Sequence, residues 1–169
     1  MVVERRRAVN VCLSGRELVN IAIGIEKNGA AFYESLTDST RHSAAKDTYR
    51  HLADMERGHV TTFQRMLPSA EEHVFPETYT EEYDLYLKGL IDSSVFTDER
   101  VAKEAAQKAG SDFEAIRIAV TAEKESILFY SEMRELVCRA DREVLNRVIE
   151  EERSHLRYLS ELRRNLGPK

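Results

Sequence analysis

Cysteine is nearly absent: only Cys12 and Cys138 occur, with no C-x-x-C pair, so neither a thiolate zinc or iron site nor a disulfide framework can be built. Reducing cytoplasm is the compartment this usage suggests. Tryptophan is missing, and three prolines and seven glycines leave little to punctuate a chain of 169 residues. That scarcity disfavours sheet-rich and low-complexity classes and favours long helices. No window approaches the roughly 20 consecutive apolar residues of a membrane span. The net charge of −5 leaves no basic excess for nucleic acid or an anionic membrane. Arg5, Arg6 and Arg7 precede an apolar stretch, Ala8 to Leu13, that is broken by Asn10 and too short for a secretory signal. Residues 1–13 therefore read as a flexible arm, and 14–169 as a single domain.

What is present is helical periodicity with start and stop signals. Ser14-Gly-Arg-Glu17 fits a capping box, followed by Leu18, Ile21, Ile25, Phe32 and Leu36, so a first helix is expected over about Gly15 to Asp38. Ser43 is expected to cap a second helix through Leu52, Met55, Phe63 and Met66, with Pro68 as its stop. From Pro68 to Gly110 the chain is turn-rich, with Pro76 and Ser93-Ser94, and carries two shorter helical patterns near Glu81–Ile91 and Asp98–Ala109. Ser111-Asp-Phe-Glu114 opens a third long helix bearing Phe113, Ile116, Val120, Ile127 and Tyr130. Asp141 is placed to cap a fourth, with Leu145, Val148, Leu156, Leu159 and Leu162 on one stripe and Gly167-Pro168 closing it. Two helical hairpins joined by one long crossover give an all-α, ferritin-like four-helix bundle.

An internal duplication carries the chemistry. Glu26-Lys-Asn-Gly-Ala-Ala-Phe-Tyr33 aligns with Glu123-Lys-Glu-Ser-Ile-Leu-Phe-Tyr130 at an offset of 97, and Glu56-Arg-Gly-His59 aligns with Glu152-Arg-Ser-His155 at an offset of 96. Residues three apart on a helix share a face, so each E-x-x-H offers a carboxylate and an imidazole to one ion. With one glutamate from each of the other two helices, Glu26, Glu56, His59, Glu123, Glu152 and His155 form a cage for two first-row metal ions. Oxygen and imidazole donors suit iron or manganese, and zinc also binds such a set. Four carboxylates bring about −4 and two divalent ions about +4, which makes burial tolerable. A single E-x-x-H in a Glu-rich chain arises easily by chance; two on the same offset, each with a matching partner glutamate, do not. Tyr33 and Tyr130 lie two turns beyond Glu26 and Glu123, where each phenol either bonds a ligand carboxylate or serves as a core aromatic. Glu150 and Glu151 are rotated away from Glu152 and read as solvated. His42, His51 and His73 have no Glu three residues earlier and read as ordinary residues.

At these residues, over about Arg16 to Leu162, the sequence resembles the rubrerythrin family, a group of ferritin-like di-iron proteins. The resemblance implies that Glu26 and Glu123 are terminal ligands, that Glu56 and Glu152 bridge two iron ions, and that His59 and His155 complete the two shells. It implies reduction of hydrogen peroxide or dioxygen and a homodimer. Ferroxidase activity with iron sequestration is an alternative, and a non-redox bundle holding zinc or manganese is another. Two departures stand out. No rubredoxin-type C-x-x-C pairs occur, so electrons are expected from a separate donor such as a rubredoxin-like protein. Ser126 stands where rubrerythrins carry a further glutamate, and Glu125 reaches the site only if a π-bulge turns it inward.

Overall fold

The structure, a computed structural model, describes residues 13–72 and 79–166. Among them are six helices and no strands: α1 (Gly15–Ser39), α2 (Ser43–Glu72), α3 (Glu81–Asp92), α4 (Glu99–Lys108), α5 (Asp112–Leu136) and α6 (Arg139–Leu166). None is long and apolar enough to cross a membrane. α1 with α2 and α5 with α6 are the most extensively packed pairs, each joined by a turn of two or three residues, so each is a helical hairpin. α3 and α4 lie in the crossover, α4 against α1 and α3 against α5.

Two hydrophobic clusters fill the bundle, and their order along each helix gives its direction. α1 contributes Leu18 to Ile23 to the first cluster and Phe32 to Leu36 to the second, whereas α2 contributes Tyr49 to Ala53 to the second and Phe63 to Ala70 to the first. α5 runs as α2 does and α6 as α1 does. The hairpins are therefore antiparallel. In every long helix the two apolar segments are separated by a buried polar stretch, and those stretches meet at mid-height.

The ends of the helices show how local sequence sets these positions. Ser14 and Glu17 form the reciprocal capping box, and the Ser14 turn is tied to the crossover by the Leu13 N–H, which donates to Asp84 Oδ1 at 2.8 Å. Ser111 accepts from the Glu114 N–H, but Glu114 turns its carboxylate to the Gly110 N–H at 2.9 Å rather than to Ser111, leaving the second box half closed. Two expected starts are displaced. The Lys46 N–H already bonds His42 O, which puts Ser43 inside the first turn of α2. α6 begins two residues before Asp141, whose buried carboxylate accepts from Ser69 Oγ at 2.7 Å and from the Cys138 thiol at 3.3 Å.

Pro68 does not stop α2, which continues to Glu72. The ring lies on the exposed face, while the turn beyond it is anchored: Ala70 is buried against α1 and Ser69 is bonded to Asp141. The contact with α1 is so close that a Cβ on Gly15 would lie 2.6 Å from Ala70 O. Tertiary packing overrides the local penalty of an interior proline. Residues 1–12 of the expected arm, Pro76, His73 and the expected Gly167-Pro168 stop lie outside the described residues.

Candidate metal centre

The six metal-ligand candidates lie together at the level where the apolar clusters part, and each is at most 4% exposed. They form two overlapping groups. Around His59 Nδ1 are Glu152 Oε1 at 2.9 Å, Glu26 Oε2 at 3.1 Å and Glu56 Oε2 at 3.7 Å. Around His155 Nδ1 are Glu123 Oε2 at 3.1 Å, Glu152 Oε2 at 3.3 Å and Glu56 Oε1 at 3.6 Å. Glu56 and Glu152 thus give one oxygen to each group, while Glu26 and Glu123 serve one group apiece. The two imidazoles stack with centroids 5.6 Å apart.

Such an arrangement is poorly served by protons alone. One imidazole N–H cannot satisfy three converging carboxylates: Glu152 Oε1, though 2.9 Å from His59 Nδ1, and His155 Nε2, both buried, are left without a well-aligned hydrogen bond among the described residues. Buried polar atoms without partners are uncommon in a folded chain. A pair of cations at the two points of convergence gives every inward oxygen and both Nδ1 atoms a partner, so the donor set fits two divalent ions with oxygen and imidazole preference.

The electrostatics show the same crowding. Burial, reinforced by the charges of Glu26 and Glu152, pushes the Glu56 carboxyl well above the usual range. Burial and the Glu152 charge push Glu123 up to about 7. Burial acts against the charged forms of Glu26 and Glu152 as well, yet hydrogen bonds outweigh it and hold both below the ordinary value: from Glu56 and His59 for Glu26, and from His155, His59 and Glu123 for Glu152. Burial alone would lower the histidines. Bonds to Glu123 and Glu152 instead raise His155 to about 10, and those to Glu152, Glu26 and Glu56 raise His59 further.

The tyrosines cross the bundle. The Tyr33 hydroxyl on α1 donates to Glu123 Oε1 on α5, and the Tyr130 hydroxyl on α5 donates to Glu26 Oε1 on α1. Of the two readings open from sequence, these contacts select the bond to a ligand candidate. Each single glutamate is held by the tyrosine of the other repeat.

Glu151 departs from expectation. It is half exposed, as a solvated residue would be, but its Oε2 lies 2.8 Å from His59 Nε2. A rotation argument along α6 misses this because the partner comes from α2. At the equivalent place for His155 the duplication has Met55, so His155 Nε2 has no such contact. Glu150 is exposed and pairs with Arg153. His42 lies 3.6 Å from Asp112, and His51 packs edge-on against Tyr158, both remote from the site. No π-bulge interrupts α5, and Glu125 accepts a bond from the Val95 N–H at 2.8 Å, turned toward the crossover. Ser126 is buried and bonds Ala122 O within its helix.

A family model described as Rubrerythrin matches residues 17–163. The chain belongs to the rubrerythrin family. No curated protein matches it. The chain is similar to a crystallised Thermotoga maritima protein described as a ferritin-like diiron-carboxylate protein, with 28% identity and a TM-score of 0.68, covering 92% of this chain and 98% of that one. For a rubrerythrin-family chain, the ferritin-like bundle described above is the corresponding fold.

Proposed function

We propose that the protein is a di-iron carboxylate oxidoreductase that reduces hydrogen peroxide or dioxygen at the buried two-metal site, with electrons from a separate donor such as a rubredoxin-like protein. The observation that carries this reading is the pair of donor groups sharing Glu56 and Glu152, each with one imidazole nitrogen and three carboxylate oxygens. Membership of the rubrerythrin family supports the redox class. Iron, when bound, supplies the electrons that break an oxygen–oxygen bond, chemistry that none of these side chains performs alone.

The residues of the chain do the rest. Glu56 and Glu152 span the two positions, Glu26 with His59 and Glu123 with His155 complete each end, and the phenols of Tyr33 and Tyr130 hold the two single glutamates in place. The apolar clusters above and below exclude bulk water. A homodimer is part of this proposal, to be checked by sedimentation at micromolar concentration.

The test begins with metal analysis of protein purified without added metal. Anaerobic loading with ferrous iron is expected to give two ions per chain, oxidised by peroxide at least as readily as by dioxygen and reduced again by a rubredoxin-type donor. A loaded site inert to both oxidants rejects the redox reading. A large spherical assembly accumulating iron beyond two ions per chain replaces it with storage.

A further inference from the structure

The bundle is not filled between α1 and α5. A cavity of about 170 Å³ lies there, with the exposed Ser93 and Leu128 in its outer lining and Glu56 and Glu123 at its inner end. It straddles the axis of the duplication. Asn28 and Glu125, Gly29 and Ser126, and Phe32 and Phe129 all line it, each pair separated by the 97 residues that relate Glu26 to Glu123.

Two features keep this space open. One of the paired lining positions holds the small residues Gly29 and Ser126, and a Cβ on Gly29 would already come within 3.1 Å of the Glu56 carboxylate. The roof is the crossover segment after α3, clasped from both repeats: Asn28 Nδ2 donates to Phe96 O at 3.1 Å, and the Val95 N–H donates to Glu125 Oε2 at 2.8 Å. The roof is therefore held off the site by two bonds from equivalent positions instead of collapsing into it.

The wall determines what can enter. It is mainly apolar, and apart from Glu56 and Glu123 at its inner end, which belong to the candidate metal centre, its polar side chains are already engaged: Asn28 and Glu125 with the roof, Ser126 with Ala122 O, Ser93 with Leu90 O, Ser94 with Phe96 O and Tyr33 with Glu123. A polar ligand would shed its water without meeting an unspent donor. An apolar one loses nothing, and a dry cavity of about 150 Å³ is enough for one benzene.

We propose that this chamber is a binding site for one small apolar molecule, up to about the size of a single aromatic ring, held against the Glu56 and Glu123 side of the candidate metal centre. The inference goes beyond the functional reading, since the apolar ligand is distinct from the peroxide or dioxygen reduced at the metals, and it rests on that reading only for the metals at the chamber's inner end. Fluorobenzene is the probe, followed by fluorine NMR on the full chain, metal-free and loaded with Zn(II) or Co(II). Saturable binding at one site is expected, weakened at least tenfold in Ser126→Leu and in Ala122→Met, which add volume at separate points of the wall. Paramagnetic Co(II) is expected to broaden the bound signal relative to Zn(II), since the chamber ends at the metals.

Absence of saturable binding to the unmodified protein, or binding unchanged in both variants, overturns the chamber. Metal content of the same samples separates the two readings. Two ions per chain with no fluorobenzene bound defeats the chamber alone. Fluorobenzene bound by a protein that takes up no metal, and lost in the variants, upholds the chamber and defeats the metal centre.

Discussion

At the scale of single residues, the two histidines are equivalent toward the cluster and unequal behind it. His59 Nε2 has Glu151 at 2.8 Å, while His155 Nε2 has no partner among the described residues. A carboxylate behind a metal-bound imidazole fixes its orientation and raises its basicity, and losing such a partner typically lowers metal affinity by about 10 to 100-fold. Glu151→Gln is therefore expected to weaken one of the two steps in a competitive Co(II) or Zn(II) titration and leave the other in place. Glu150→Gln is the control, because Glu150 bonds only Arg153 at the surface; identical isotherms for all three proteins defeat the role given to Glu151. Glu56→Ala is a harsher change, since Glu56 gives an oxygen to both groups. It is expected to remove most of both ions by metal analysis, whereas loss of a single ion would show that Glu56 serves one group only. The ligand candidates were legible from sequence because a duplication repeats them at a fixed offset. Glu151 was not, because its contact crosses from one helix to another and has no counterpart in the other repeat.

At the scale of elements, capping residues and apolar spacing were enough to place four long helices and two short ones, with the correct connection between hairpins. The misses lie where a distant contact decides. Pro68 reads as a stop by any local rule, but the turn beyond it is held by Ala70 against Gly15 and by Ser69 on Asp141. The same contact drew Asp141 away from the cap position it was assigned. This makes opposite predictions for two small substitutions. Pro68→Ala restores a backbone donor on an exposed face and is expected to stabilise the fold by about 1 to 3 kcal/mol, read from the denaturant midpoint. Gly15→Ala puts a Cβ 2.6 Å from a backbone carbonyl that cannot rotate aside, and overpacking of that kind is expected to destabilise by about 1 to 3 kcal/mol. A destabilised Pro68→Ala would mean that the proline shapes the approach of α2 to α1 rather than being tolerated by it.

At the scale of the whole molecule, the fold places four carboxyls and two imidazoles in a core that two apolar clusters close from either side. Without metal, protons must balance that charge. Glu123 is raised from its ordinary 4.5 to about 7 and His155 from 6.5 to about 10; burial and the Glu26 and Glu152 charges raise Glu56, and bonds to Glu152, Glu26 and Glu56 raise His59 against the opposing effect of burial. Groups raised on folding add stability below their unfolded values and lose it as pH rises through their folded ones. For Glu123 and His155 that window runs from about 4.5 to about 10. Glu26 and Glu152, which are depressed, act in the opposite sense, but only in acid near and below 4.5. Between pH 6 and 9 the metal-free protein is therefore expected to lose stability, its melting temperature falling by at least about 5 °C, the shift that roughly 2 kcal/mol makes in a chain of this size. Divalent ions compete with the same protons, so their binding strengthens over that interval and the loaded protein is expected to hold its melting temperature. The gap between loaded and chelator-treated protein should widen steadily in scanning calorimetry from pH 6 to pH 9. A metal-free melting temperature that stays level or rises would show that the cluster carries its charge without borrowed protons, and equal curves with and without chelator would show that no ion occupies it.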